Sequence, residues 1–80
     1  MLAARLIFDL DSPAQADAVE AALLPELGDD VPGARSSLAR AGSSLTLDLQ
    51  AEDAGALRAA LNSYLRWAQT ALDVHALARR

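Results

Sequence analysis

The sequence predicts an α+β domain: a two-layer βαββα chain whose three-stranded, antiparallel or mixed sheet carries both helices on one face, like a split βαβ unit. Three observations predict it. Residues 2–10 and 44–51 alternate apolar with polar or small residues, the period of a strand with one buried face. Helix-start signatures stand at Ser12-Pro13-Ala14-Gln15 and at Asp53, where a side-chain oxygen can accept from a free backbone N–H. Residues 53–80 form one proline-free run of strong helix formers.

In the first strand Leu2, Ala4, Leu6, Phe8 and Leu10 point one way, and Ala3, Arg5, Ile7 and Asp9 the other. The first helix runs from about Pro13 to Leu24, with Pro13 at the first helical position and Pro25 and Gly28 as its stop. Ala16, Val19, Ala22 and Leu23 form its core face. Ala14, Ala18 and Ala21 form a small-residue row beside Asp17 and Glu20, where another helix can approach closely. A turn-rich loop, PELGDDVPG, follows and holds no phosphate-cradling glycine pattern. Residues 34–40 form a weak strand, Ala41-Gly42-Ser43 a turn, and residues 44–51 the clearest strand, with Leu45, Leu47 and Leu49 facing in. A right-handed crossover makes the first two strands parallel and leaves room for the third between them. The sheet face away from the helices then carries Arg5, Asp9, Arg35, Ser37, Thr46, Asp48 and Gln50 and meets water. The first strand is left with an open edge, a liability or a dimer interface.

The long helix has faces of different kinds. Leu57, Leu61, Tyr64, Leu65, Ala68 and Leu72 make a core stripe. A second row, about 80–100° around, holds Ala56, Ala60, Ser63, Trp67, Ala71, Val74 and Ala78, close to a coiled-coil seam of small residues with one large knob. A single sheet covers one stripe, so the second calls for another partner, inside or outside the chain. Trp67 reads either as core or as an interface anchor, because Trp is enriched at binding hot spots. Arg58, Asn62 and Arg66 share a polar face with Gln69 and Asp73. The three read as a solvated surface, or as a contact for RNA phosphate or a partner carboxylate.

Composition narrows the function. Eighty residues make one domain, residues 1–80, too small to be robust alone, and without cysteine it has no disulfide to compensate. Oligomerisation is the remaining route to stability. The net charge of −4, with seven arginines and no lysine, argues against a free-standing nucleic-acid binder. Arginine without lysine, with abundant Asp and Ala, fits a GC-rich genome and a salt-adapted cytoplasm. Arg5 and Asp9 break the apolar start that a signal peptide needs, and no apolar run approaches the roughly 18–20 residues of a membrane span. The expectation is a cytoplasmic protein with no membrane contact.

No catalytic or metal-binding pattern emerges. His75 is the only histidine, and Asp73, two residues away, cannot share its helical face; it reads as a helix-end histidine. Ser63 beside Asn62 has Ala59 and Trp67 one turn away, so no base is in reach. Glu26 with Asp29-Asp30 lacks the spacing of a cation loop and reads as a solvated acidic loop. No cofactor, metal or reaction is expected of the chain itself.

The run Ala51-Glu52-Asp53, then Ala56-Leu57-Arg58-Ala59, then Asn62-Ser63-Tyr64-Leu65-Arg66 resembles the pattern A-x-D…A-L-R-A-x-x-N-S-x-L-R of the Pcc-one (CTAG/Pcc) family, the smallest subunits of the KEOPS complex. Leu23-Leu24-Pro25-Glu26 matches that family's L-x-P-E. The resemblance implies a non-catalytic subunit of a complex that installs threonylcarbamoyl on tRNA adenosine next to the anticodon. It implies a homodimer with sheets joined edge to edge, and helices packed against a TsaD-like catalytic subunit that owns the chemistry. On that reading Ala14, Ala18, Ala21, Ala56, Ala60, Ser63, Trp67, Ala71 and Val74 bind the partner, and Arg58, Asn62 and Arg66 offer an indirect or weak contact with tRNA. The alternative is a KH-like nucleic-acid-binding or transcription-linked module, although the GxxG loop of KH domains is missing.

Overall fold

The computed structural model describes residues 1–27 and 32–78. In chain order these form β1 (Leu2–Asp9), α1 (Pro13–Leu23), a short 3-10 turn (Leu24–Glu26), β2 (Ala34–Ala41), β3 (Ser44–Ala51) and α2 (Ala54–Ala78). The sheet order is β1-β3-β2, and both pairs are antiparallel. β1 and β2 therefore run parallel with β3 between them, as the crossover rule requires.

The register follows from the alternation. Leu47 sits opposite Leu6 on one side and Leu38 on the other; Leu49 lies opposite Ala4 and Ser36. β3 has a neighbour on both edges and helices above it, so Leu45, Leu47 and Leu49 are the most enclosed residues of the sheet. The far face is polar, as expected: Arg5, Arg35, Ser37 and Gln50 are exposed. There Arg5 stands opposite Asp48 in the register, and its Nε donates to Asp48 Oδ1 at 2.7 Å. This hydrogen bond, with the carboxylate's charge, holds the Arg5 guanidinium above its ordinary value. Residues 42–43 close the β2–β3 hairpin, with Gly42 at φ +61° as the first position of a II′ turn demands.

α1 begins where Ser12 Oγ accepts from the Gln15 N–H at 3.2 Å. The Gln15 side chain reaches back, but to the N–H of Asp11 rather than of Ser12. The helix ends at Leu23, one residue short of the expected end, and tightens into the 3-10 turn. Pro25 has no N–H with which to continue the α ladder. Gly28 and the Asp29-Asp30 pair lie outside the described residues, as do Arg79 and Arg80 at the end of the long helix.

Two side chains fasten the layers. Arg40 lies on the helix-facing side of β2, opposite Leu45, and its guanidinium reaches α1. There it donates to Asp17, Glu20 and the Pro13 carbonyl. These carboxylates keep its charge favoured, raising its pKa despite partial desolvation. Tyr64 is 2% exposed. Its hydroxyl donates to the Glu26 carbonyl and shares a hydrogen bond with Ser36 Oγ, joining α2 to β2 and to the turn after α1.

α2 starts at its expected cap, where Asp53 Oδ1 accepts from the Ala56 N–H at 2.8 Å. Its enclosed line, however, is Ala60, Tyr64 and Ala68, which runs between the two rows separated in the sequence. Leu65, expected in the core stripe, is 47% exposed; it sits about 100° around the helix from Tyr64, beside the arginine face. Ala60, expected in the outward row, is 0% exposed. Small residues let α2 settle deeply along that line. Leu57, Leu61 and Leu72 form one half-buried flank, and Ala56, Trp67 and Ala71 the other.

Candidate functional site

α2 outruns the sheet. Its 25 residues span about 37 Å, whereas each eight-residue strand spans about 26 Å. No described residue of α2 beyond Ala68 is fully buried. The result is an apolar groove of about 390 Å³ between the helices. Ala18 and Ala22 of α1 line one wall; Trp67, Thr70, Ala71, Val74, His75 and Ala78 of α2 line the other. Val74 is 58% exposed, and Leu77 close by is 60% exposed.

The groove collects part of the predicted row. Ala18, Trp67, Ala71, Val74 and Ala78 come together there. Ala14 and Ala21 are exposed on α1 but do not line it. Ala22, assigned to the core face from the sequence, does line it. At the other end of α2 the row disappears into the chain's own packing. Ala60 is fully enclosed, and Ala56 packs on the core beside Gly33. Ser63 is half-buried between the two regions.

Trp67 belongs in part to the core. It packs on the core cluster and meets the Tyr64 ring edge-on, with centroids 5.2 Å apart and planes at 88°, an arrangement favoured by the ring quadrupoles. Its remaining surface forms part of the groove wall. His75, half-buried on that wall, is not aligned with a base or a metal ligand; its Nε2 is buried with no hydrogen-bond partner among the described residues. The Tyr64 hydroxyl contacts were not signalled by the sequence, since one hydrophobic stripe cannot say which polar atoms lie at the far end of a ring.

Arg58, Asn62 and Arg66 are all exposed on the solvent side of α2, spaced four residues apart and so on one face. Among the described residues none of the three has a hydrogen bond or ion pair; on the same side Gln69 donates to Asp73. Among the described residues no group of three His, Cys, Asp or Glu side chains could hold a metal ion, and no helix is long and apolar enough to cross a membrane.

Comparison with known proteins places this architecture. Residues 3–75 match the family described as Transcription factor Pcc1. The chain belongs to that family. A 40-residue segment is 45% identical to the KEOPS complex subunit Pcc1 of Pyrococcus abyssi (strain GE5 / Orsay), covering 50% of this chain and 49% of that protein. The match thus spans about half the length of that curated relative. The family assignment agrees with the motif from Ala51 to Arg66, whose residues now divide by role. Asp53 caps α2, Ala60 and Tyr64 are core, and Arg58, Asn62 and Arg66 face solvent.

Proposed function

We propose that this chain is a non-catalytic scaffold subunit of a KEOPS complex, forming a homodimer and supporting threonylcarbamoyl-adenosine modification of tRNA in the cytoplasm. It does so by holding the TsaD-like catalytic subunit through the α1–α2 groove. The observation that carries the reading is the groove itself: apolar, walled by Trp67 and exposed Val74, and lined by alanines that let a further helix approach closely. A helix laid along it would complete a helical bundle, burying the face that the sheet cannot reach. Family membership and the name of the Pyrococcus abyssi relative support the choice of complex. The reading assigns the chain no reaction and no cofactor.

The partner surface comprises Ala18, Ala22, Trp67, Ala71 and Val74, with Ala14, Ala21 and Ser63 on its borders. Ala56 and Ala60 support it from within. A second, subsidiary contact is favoured by the Arg58, Asn62 and Arg66 row, which has no hydrogen bond or ion pair among the described residues and offers two cations to tRNA phosphate. Co-purification with the TsaD-like subunit tests the main reading. The wild-type chain is expected to be retained and Ala71→Arg to be lost, with circular dichroism unchanged. Equal retention of both would remove the groove from the interface.

A further inference from the structure

Among the described residues, His75 is the only titratable side chain that lines the α1–α2 groove. It stands eleven residues after Tyr64, three helical turns on and within about 20° of the same line. Its ring therefore continues the inward line of Ala60, Tyr64 and Ala68. Its Nε2 is buried and has no hydrogen-bond partner among the described residues. A buried polar atom without a partner is rare in native structures and calls for an explanation. A leucine would fill the same place without the cost of that unmet atom.

The protonation state of the ring decides how well it fits there. A neutral imidazole can carry its proton on Nδ1 and keep Nε2 as a bare acceptor, whereas imidazolium carries an N–H on both nitrogens. The added proton thus puts a donor and a positive charge where no acceptor stands. The neighbouring elements supply none. On α1 the groove wall is Ala18 and Ala22, and Asp17 and Glu20 are held by Arg40 of β2. Asp9, at the end of β1, accepts from Ser44, and Asp11, ahead of α1, is exposed. On α2 itself Asp73 accepts from Gln69 on the solvent side. None of these carboxylates bonds to Nε2.

In the free chain the ring is half-buried beside an open groove, so it can turn an added N–H to water. A helix docked along the groove removes that water and leaves the charge among alanine, valine and tryptophan side chains, where an unpaired charge is costly. We propose that the groove accepts its partner only while His75 is neutral, so that acidification releases the catalytic subunit. This rests on the docking proposed above and adds its regulation. The free chain takes up the proton and the complex excludes it. Affinity is therefore full above the range in which histidines titrate, and falls as pH drops through that range.

Isothermal titration of the TsaD-like catalytic subunit into the full-length chain between pH 8 and pH 5.5 tests this, with wild type, His75→Leu and His75→Gln compared. The catalytic subunit's own groups titrate equally against all three, so the difference between the profiles isolates His75. One proton excluded from a complex lowers affinity by up to about tenfold per pH unit. Between pH 7.5 and 5.5 the wild-type chain should therefore lose about tenfold more affinity than either variant, with circular dichroism showing the fold intact at each pH. Parallel profiles for the three chains overturn the proposal and leave the groove reading standing. A wild-type affinity that rises on acidification relative to the variants also overturns it, since the partner then brings an acid to the ring. No binding by the wild-type chain at any pH removes the docking reading, and this proposal with it.

Discussion

The Tyr64 hydroxyl offers a sharp test of how α2 is held to the rest of the fold. Tyr64→Phe keeps the ring, its burial and the edge-on contact with Trp67. It removes one oxygen and with it the bonds to Ser36 Oγ and the Glu26 carbonyl. Each buried hydrogen bond contributes about 1 kcal/mol net, so the loss is about 2 kcal/mol per protomer. In a domain of 80 residues, with total stability of roughly 5–10 kcal/mol, that is a large fraction. Urea unfolding monitored by circular dichroism, at one fixed protein concentration because any self-association adds to apparent stability, should show a lower midpoint with an unchanged slope. A loss under about 0.5 kcal/mol would refute the claim that this hydroxyl fastens α2 to β2 and to the turn after α1. Ser36→Ala should lose roughly half as much, because of the two described bonds it removes only the one to Tyr64.

Other expectations follow from backbone and cap geometry. Gly33 has φ +77°, and a Cβ there would lie 3.3 Å from the Ala56 Cβ, whereas Gly42, at φ +61°, has open space around it. Both glycine-to-alanine changes should destabilise in the same unfolding assay, Gly42→Ala by about 1 kcal/mol from backbone conformation alone and Gly33→Ala by more, from conformation and crowding together. Asp53→Ala removes the N-cap of α2 and should cost about 1 kcal/mol, with Asp53→Ser restoring most of it.

Much of the fold was legible because two periodicities dominate it. The leucines of β3 alternate strictly, so the face they bury was legible from period alone. The helix starts were legible because Ser12 and Asp53 are residue types that satisfy free N–H groups. The site was legible only in part. A helical pattern gives the angle of a side chain around the axis but not whether anything lies beneath it at that height. Ala60 and Ala71 belong to one row in the sequence, yet Ala60 sits over the sheet and is enclosed, while Ala71 lies past it and lines a groove. Leu65 looked like core by type, but its angle from Tyr64 puts it on the rim. The Arg40 cluster was not legible, because an inward position in a strand ordinarily takes a small or apolar side chain. Its long stem instead carries the charge out to α1.

The central claim is that the α1–α2 groove is the seat of a TsaD-like catalytic subunit. Val74→Asp probes it most directly, because Val74 is exposed in the groove wall and its replacement leaves the core untouched. An unpaired carboxylate desolvated against an apolar helix costs several kcal/mol. Isothermal titration of the catalytic subunit into each form should therefore show affinity falling at least about 100-fold, with dimerisation unchanged by light scattering. Equal affinity of Val74→Asp and the wild-type chain would contradict the account.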